Sequence, residues 1–122
     1  ATYSNRTLGF VNAPALMQRV LATIEPFAAE IDTYRRKRDL FYNALVGMGY
    51  EVVKPDGTFF MFPKSPVADE FVFLAELTKR MVLVTPGTGF ERPGYFRIAF
   101  CVPDDVIERS LPRFEEALRA VS

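Results

Sequence analysis

The chain has 122 residues, 49% hydrophobic and 25% charged, with 15 basic and 15 acidic side chains and a formal net charge of zero. That is the size and composition of one globular domain; a nucleic-acid or anionic-membrane surface needs a basic excess, and a membrane span needs about 20 apolar residues in a row, and the sequence has neither. Histidine is absent and the only cysteine is Cys101, which excludes a metal-ligand spacing and an internal disulfide and favours a reducing, cytoplasmic setting.

Residues 1–11 read as an extended lead-in, polar through Thr7 and apolar at Leu8, Phe10 and Val11. Asn12 is a good N-cap and Pro14 is tolerated in the first helical turn. From there Met17, Val20, Leu21, Ile24, Phe27, Ile31 and Tyr34 recur at spacings of three and four, which predicts one long helical segment. Pro26 is predicted to kink or break it near residues 23–25. The pattern continues past the basic run Arg35-Arg36-Lys37-Arg38, read as a solvated helix face, to Leu45 and Met48. Gly47 and Gly49 are expected to end it.

Tyr50 to Lys54 reads as a short strand, Pro55-Asp56-Gly57 as a turn, and Thr58 to Pro63 as a strand apolar on both faces and therefore central. The two are expected to pair as a hairpin. Ser65-Pro66 is predicted to open a helix with Phe71, Leu74 and Ala75 inward, acidic early and basic late to match its dipole. Met81 to Val84 and Tyr95 to Phe100 are the third and fourth expected strands. Pro103-Asp104-Asp105 starts a last helix with Ile107, Leu111, Phe114 and Leu118 inward and a bend at Pro112. The expected fold is α/β: a two-layer domain of about four strands in a mixed sheet covered by helices, preceded by the long kinked helical segment.

No nucleophile stands out. Cys101 reads as a small core residue. None of Lys37, Lys54, Lys64 and Lys79 lies in a setting that would desolvate it, as a Schiff-base lysine requires. The informative stretch is Thr85 to Phe100. Its glycines and prolines form a loop feeding a strand in which Phe96, Ile98 and Phe100 share one face and Tyr95, Arg97 and Ala99 the other. A guanidinium on a strand, beside a loop that glycine allows to approach closely, suits an anion.

Three motifs carry a resemblance: Pro55-Asp56-Gly57-Thr58-Phe59-Phe60-Met61-Phe62-Pro63; Val82-Leu83-Val84-Thr85-Pro86-Gly87 with Phe90; and Gly94-Tyr95-Phe96-Arg97-Ile98-Ala99. With their spacing they resemble the C-terminal small domain of class I/II aminotransferases, the pyridoxal-phosphate enzymes of the aspartate aminotransferase fold. The resemblance covers roughly residues 12 to 120. It implies a lead-in over 1–11, a small domain over 12–122, and a catalytic large domain absent from this chain. It implies that Arg97 clamps the substrate α-carboxylate with its planar fork, and that Gly57 and Phe59 lie beside the active site. Gly9-Phe10-Val11-Asn12-Ala13-Pro14 resembles the loop that opens the interdomain helix, near the neighbouring subunit's active site, so Asn12 is a further candidate and the parent a homodimer. The family often has glycine after the loop phenylalanine, where this chain has Glu91.

The family's cofactor lysine, pyridine-pairing aspartate and phosphate-binding residues belong to the large domain and have no counterpart here. The implied parent uses pyridoxal 5'-phosphate to move an amino group between an amino acid and a 2-oxo acid. This fragment is expected to hold no cofactor and no catalytic residue, and to be inactive alone. A start at Ala1 instead of Met agrees with a piece of something larger. The alternative is a free-standing α/β module that binds a small carboxylate effector or mediates dimerisation without catalysis.

Overall fold

The structure, a computed structural model, describes residues 14–23 and 30–121. In chain order the elements are α1 (Ala15–Thr23), α2 (Ile31–Met48), β1 (Phe60–Met61), α3 (Glu70–Lys79), β2 (Thr85–Pro86), a 3-10 turn (Gly87–Phe90), β3 (Phe96–Ala99) and α4 (Asp104–Val121). The expected cap at Asn12 and the expected kink at Pro26 lie outside the described residues.

The helices follow from local chemistry. Gly49 takes the left-handed conformation (φ 96°) that glycine adopts without strain, and Tyr50 N–H closes on Leu45 O at 3.0 Å, ending α2. Gly47 stays inside the helix. Asp69, and not Ser65, caps α3: its carboxylate accepts from Phe71 N–H at 2.9 Å. The inward stripe of α3 is Glu70, Phe73 and Leu77. Phe71 and Ala75, expected inside, are exposed and Leu74 is half-buried; beginning at Glu70 sets the phase of the helix one residue away from the predicted stripe. In α4, Ile107 and Phe114 are buried as expected, with Ala117, and Leu111 and Leu118 pack against them. The helix runs unbroken through Pro112.

The sheet is smaller than predicted. Among the described residues it has three antiparallel strands in the order β1-β3-β2, with Met61 opposite Ile98 and Thr85 opposite Arg97. The strand expected at Tyr50 to Lys54 does not form. Tyr50 is drawn into the core, where its hydroxyl donates to Phe114 O at 2.9 Å, and Val53 is exposed. Of the expected hairpin there remains a bond from Lys64 N–H to Glu51 O and an ion pair between the same residues. Met81 to Val84 also fails to pair. Met81 N–H and Val82 N–H turn back to Thr78 O and Leu77 O at the end of α3, and pairing starts only at Thr85. The segment expected to be central, β1, is an edge, and β3 is the middle strand.

Helices cover one face of this sheet. Phe96 packs against Phe73 and Tyr50, and Phe114 meets Phe41 edge-on, which ties β3 to α2, α3 and α4. The basic run on α2 is not simply solvated. Arg36 pairs with Asp104 at 2.8 Å, Lys37 donates to Val102 O at 2.6 Å, and Arg38 donates to Asp39 and to Pro55 O, so these residues fasten α2 to the start of α4 and to the turn before β1. Cys101, read as a core residue, is exposed, because Phe100 before it takes the inward position.

Gly87 is where backbone meets backbone. It is buried, and a Cβ there would sit 2.6 Å from Tyr95 O and closer still to Arg92 O; at Gly89 a Cβ would meet nothing within 4 Å. Gly87→Ala is therefore expected to cost more than about 3 kcal/mol of unfolding free energy, as overpacking against backbone that cannot yield. Gly89→Ala should change it by no more than about 1 kcal/mol in either direction. Denaturant unfolding of the two variants side by side checks this, and equal stabilities would contradict it.

Candidate functional site

The face of β3 turned away from the helices carries Tyr95, Arg97 and Ala99, in the alternation the sequence predicts. Arg97 is half-buried. Its Cζ lies 4.2 Å from the ring centroid of Phe60 and 4.3 Å from that of Phe90. Phe60 comes from β1 and Phe90 from the end of the 3-10 turn, so the guanidinium is in contact with rings from two different segments. Among the described residues it makes no ion pair and no hydrogen bond. Arg36, Arg38 and Arg80, by contrast, each reach a carboxylate oxygen at 2.8 Å. The ring contacts use none of the guanidinium's N–H donors, and among the described residues these donors have no partner; they are the groups that meet a carboxylate with two parallel bonds.

The loop before β3 is held from below by one carboxylate. Glu70, at the first position of α3, is only 3% exposed. Its Oε1 accepts from Thr88 N–H at 3.1 Å and from the Thr88 hydroxyl, and its Oε2 accepts from Gly94 N–H at 2.7 Å. The Thr88 hydroxyl, followed by the Gly94 N–H, holds the Glu70 carboxyl down from its ordinary value of 4.5 to about 2. Within the loop, Gly87 N–H bonds Tyr95 O and Arg92 N–H bonds Gly87 O. Glu91 stands in the left-handed region (φ 58°, ψ 25°), so the chain adopts there, at some strain, the conformation that glycine would adopt freely. The ring of Phe62 meets Phe90 edge-on and lies flat over Tyr95, extending the aromatic surface around Arg97.

Of the other predicted site residues, Phe59 and Gly57 line a groove of about 510 Å³ with Tyr34, Arg35 and Arg38. Phe59 reaches the Arg97 cluster only through its ring contact with Phe60, centroids 4.4 Å apart; Gly57 has open space around its Cα. Asn12 lies outside the described residues. Sequence reasoning missed Phe60 as the stacking partner and Glu70 as the loop anchor. Phe60 was findable, because period two in β1 separates it from inward Met61. Glu70 was findable as the one acid in the 70/73/77 stripe of α3.

All four lysines are engaged. Lys54 pairs with Asp39, Lys64 with Glu51, Lys79 with Glu76, and Lys37 with Val102 O and Asp104. A lysine that forms a Schiff base needs a free, desolvated amine, and none of these fits. Among the described residues no helix is long and apolar enough to cross a membrane, and no cluster of ligating side chains could hold a metal ion.

Fold and site together define a small two-layer α/β domain that presents an arginine, stacked but unpaired among the described residues, on its open sheet face. The sequence profile of the family Aminotransferase class I and II matches residues 3–114, and the chain belongs to that family. It is 35% identical over 89 residues to the aspartate/prephenate aminotransferase of Thermus thermophilus, covering 71% of this chain and 23% of that one. It is 32% identical over 95 residues to the LL-diaminopimelate aminotransferase of Desulforudis audaxviator, covering 75% and 24%. Among solved structures, an aminotransferase from Eubacterium rectale superposes with a TM-score of 0.83 at 36% identity, over 95% of this chain and 29% of that one. Thermus thermophilus aspartate aminotransferase with maleate gives 0.68 at 30% identity, over 70% and 23%. The chain thus spans about a quarter of the length of the curated relatives it matches.

A group whose folded-state pKa is depressed stabilises the fold fully above its unfolded value and loses that contribution as pH falls through the folded one. For Glu70 the window runs from 4.5 down to about 2. The melting temperature should fall through this window, with a residual slope from Asp39, lowered by Arg38 and Lys54, and Glu76, lowered by Lys79 and Arg80. Glu70→Gln should melt lower at pH 7 and show a flatter acid limb. Parallel profiles for the two proteins would remove Glu70 as the source.

Proposed function

We propose that this chain is the substrate-binding small domain of a pyridoxal-phosphate-dependent aminotransferase, and that Arg97 anchors the α-carboxylate of the amino acid or 2-oxo acid. The observation that carries the reading is the state of Arg97: ring contacts to Phe60 and Phe90, and no acid partner among the described residues. Arg36, Arg38 and Arg80 reach carboxylates, Arg113 a backbone carbonyl and Arg92 a tyrosine hydroxyl, while Arg97 has no polar partner among the described residues. Family membership supports the reaction class, and the Thermus thermophilus relative solved with maleate, a carboxylate ligand, supports the binding role.

When bound, the cofactor supplies an electron sink for the amino-group carbon. The lysines of this chain do not fit its attachment, so that task is assigned to a large domain of the parent, and the isolated 122 residues are inactive. What this chain contributes is orientation and binding. A bidentate clamp fixes the acid end of the substrate, and the aromatic wall around it keeps water from competing for the guanidinium. The parent acts as a homodimer, as expected from the resemblance at residues 9–14.

Two charge-assisted bonds of about 1.5–3 kcal/mol each amount to roughly a hundred- to ten-thousandfold in rate at about 1.4 kcal/mol per tenfold. Arg97→Ala in the full-length parent is expected to lower kcat/KM by that range, and Arg97→Lys to recover only a small part, because an ammonium cannot make the paired contact. Steady-state kinetics with amino-acid donors checks this. An unchanged kcat/KM would remove Arg97 from substrate binding.

A further inference from the structure

We propose that Glu70 is a positioning residue for carboxylate recognition, acting on Arg97 through the loop of residues 87–94 by fixing the Phe90 ring against the guanidinium. This rests on the reading of Arg97 as the carboxylate anchor and goes beyond it, because no contact joins Glu70 to Arg97 directly.

The connection runs outward from the core. Helix α3 is set there by Phe73 and Leu77, both with no exposed surface, so Glu70 at its start is a fixed point. The two carboxylate oxygens divide their work: Oε1 holds Thr88 and Oε2 holds Gly94. Those residues bracket the segment that carries Phe90. The other bonds of the loop are internal turns, Glu91 N–H to Thr88 O and Arg92 N–H to Gly87 O, or ties to its neighbours, Gly87 N–H to Tyr95 O, Arg92 Nη2 to the Tyr95 hydroxyl and Ser65 N–H to Gly94 O. None of these joins the Thr88 end of the segment to α3; Glu70 alone does so among the described residues. Phe90 itself is 43% exposed and has the Phe62 edge and Arg97 as its ring partners, so its place depends on the backbone beneath it. Loosening the Thr88 end releases one of the two rings that flatten the guanidinium, and the donor edge then samples orientations that a carboxylate cannot meet with two bonds.

A residue that only stabilises the fold would weaken the protein without caring whether Arg97 is present. The test is therefore a double-mutant cycle in the full-length, cofactor-loaded parent, with maleate as the probe and titration calorimetry as the readout. Glu70→Gln should weaken maleate binding about tenfold, Arg97→Ala more, and the double variant no more than Arg97→Ala alone, since coupled residues are not additive. Phe90→Leu, which leaves the Glu70 bonds in place, should show the same dependence on Arg97 and serves if Glu70→Gln does not fold. Independent, multiplying losses, or an unchanged affinity in Glu70→Gln and Phe90→Leu, would overturn the proposal while leaving Arg97 in its role. An unchanged affinity in Arg97→Ala would overturn the anchor and the proposal together.

Discussion

The structure around the sheet depends on one buried carboxylate facing a turn of backbone donors. Glu70 begins α3, where the unpaired N–H groups of the helix already favour negative charge, and it spends both oxygens on the loop above, at Thr88 and Gly94. Removing such a group takes away the bonds that hold an exposed Thr88 and a half-buried Gly94 to α3. In the same loop, Gly87 lets the Arg92 and Tyr95 backbones pack against it with no Cβ in the way. Acid, glycine and loop act together: the acid supplies the tie, the glycine the close approach, and the loop the ring that reaches Arg97.

Arg97 has aromatic neighbours where other arginines of the fold have acidic ones. Stacking against a ring contributes about 0.5–1 kcal/mol when exposed and about 2 when desolvated, whereas a charge-assisted bond contributes about 1.5–3 each. Phe60 and Phe90 can therefore contact the guanidinium without using its N–H donors. A carboxylate neighbour, as at Arg38 or Arg80, would use up those bonds inside the fold. Arg92, over the Tyr95 ring at 4.7 Å, shares the ring contact but also reaches the Tyr95 hydroxyl, whereas Arg97 has ring contacts alone among the described residues.

Much of this was legible in the sequence where the pattern was regular. The alternation of Tyr95 to Phe100 put Arg97 on the open face, and Ile107 and Phe114 announced the inward face of α4. The failures fall where a long-range contact overrode a short pattern. Tyr50 to Lys54 has strand composition, but the helix-ending turn at Gly49 and the bond from Tyr50 to Phe114 O claim its first residue, and a strand that short cannot recover. Met81 to Val84 is claimed in the same way by the end of α3. On α3 itself two apolar stripes compete, and composition alone cannot say which turns inward. Phe73 and Leu77 win because that phase also delivers Glu70 to the loop.

The same trade bears on the division of labour in the parent. Every lysine here is committed to an acid or a carbonyl, while the arginine on the open face is left without one among the described residues. Leu16, Met17 and Leu21 on α1, and Phe71 and Val72 on α3, are exposed, apolar surface that a domain of this size would ordinarily bury against something. A chain that spends its amines on its own stability cannot also offer one to a carbonyl, but it can offer a planar cation to a carboxylate, because stacking stabilises that cation without neutralising it. The electrostatics of the fold thus set its lysines, each held by an acid or a carbonyl, apart from Arg97, whose described neighbours are rings.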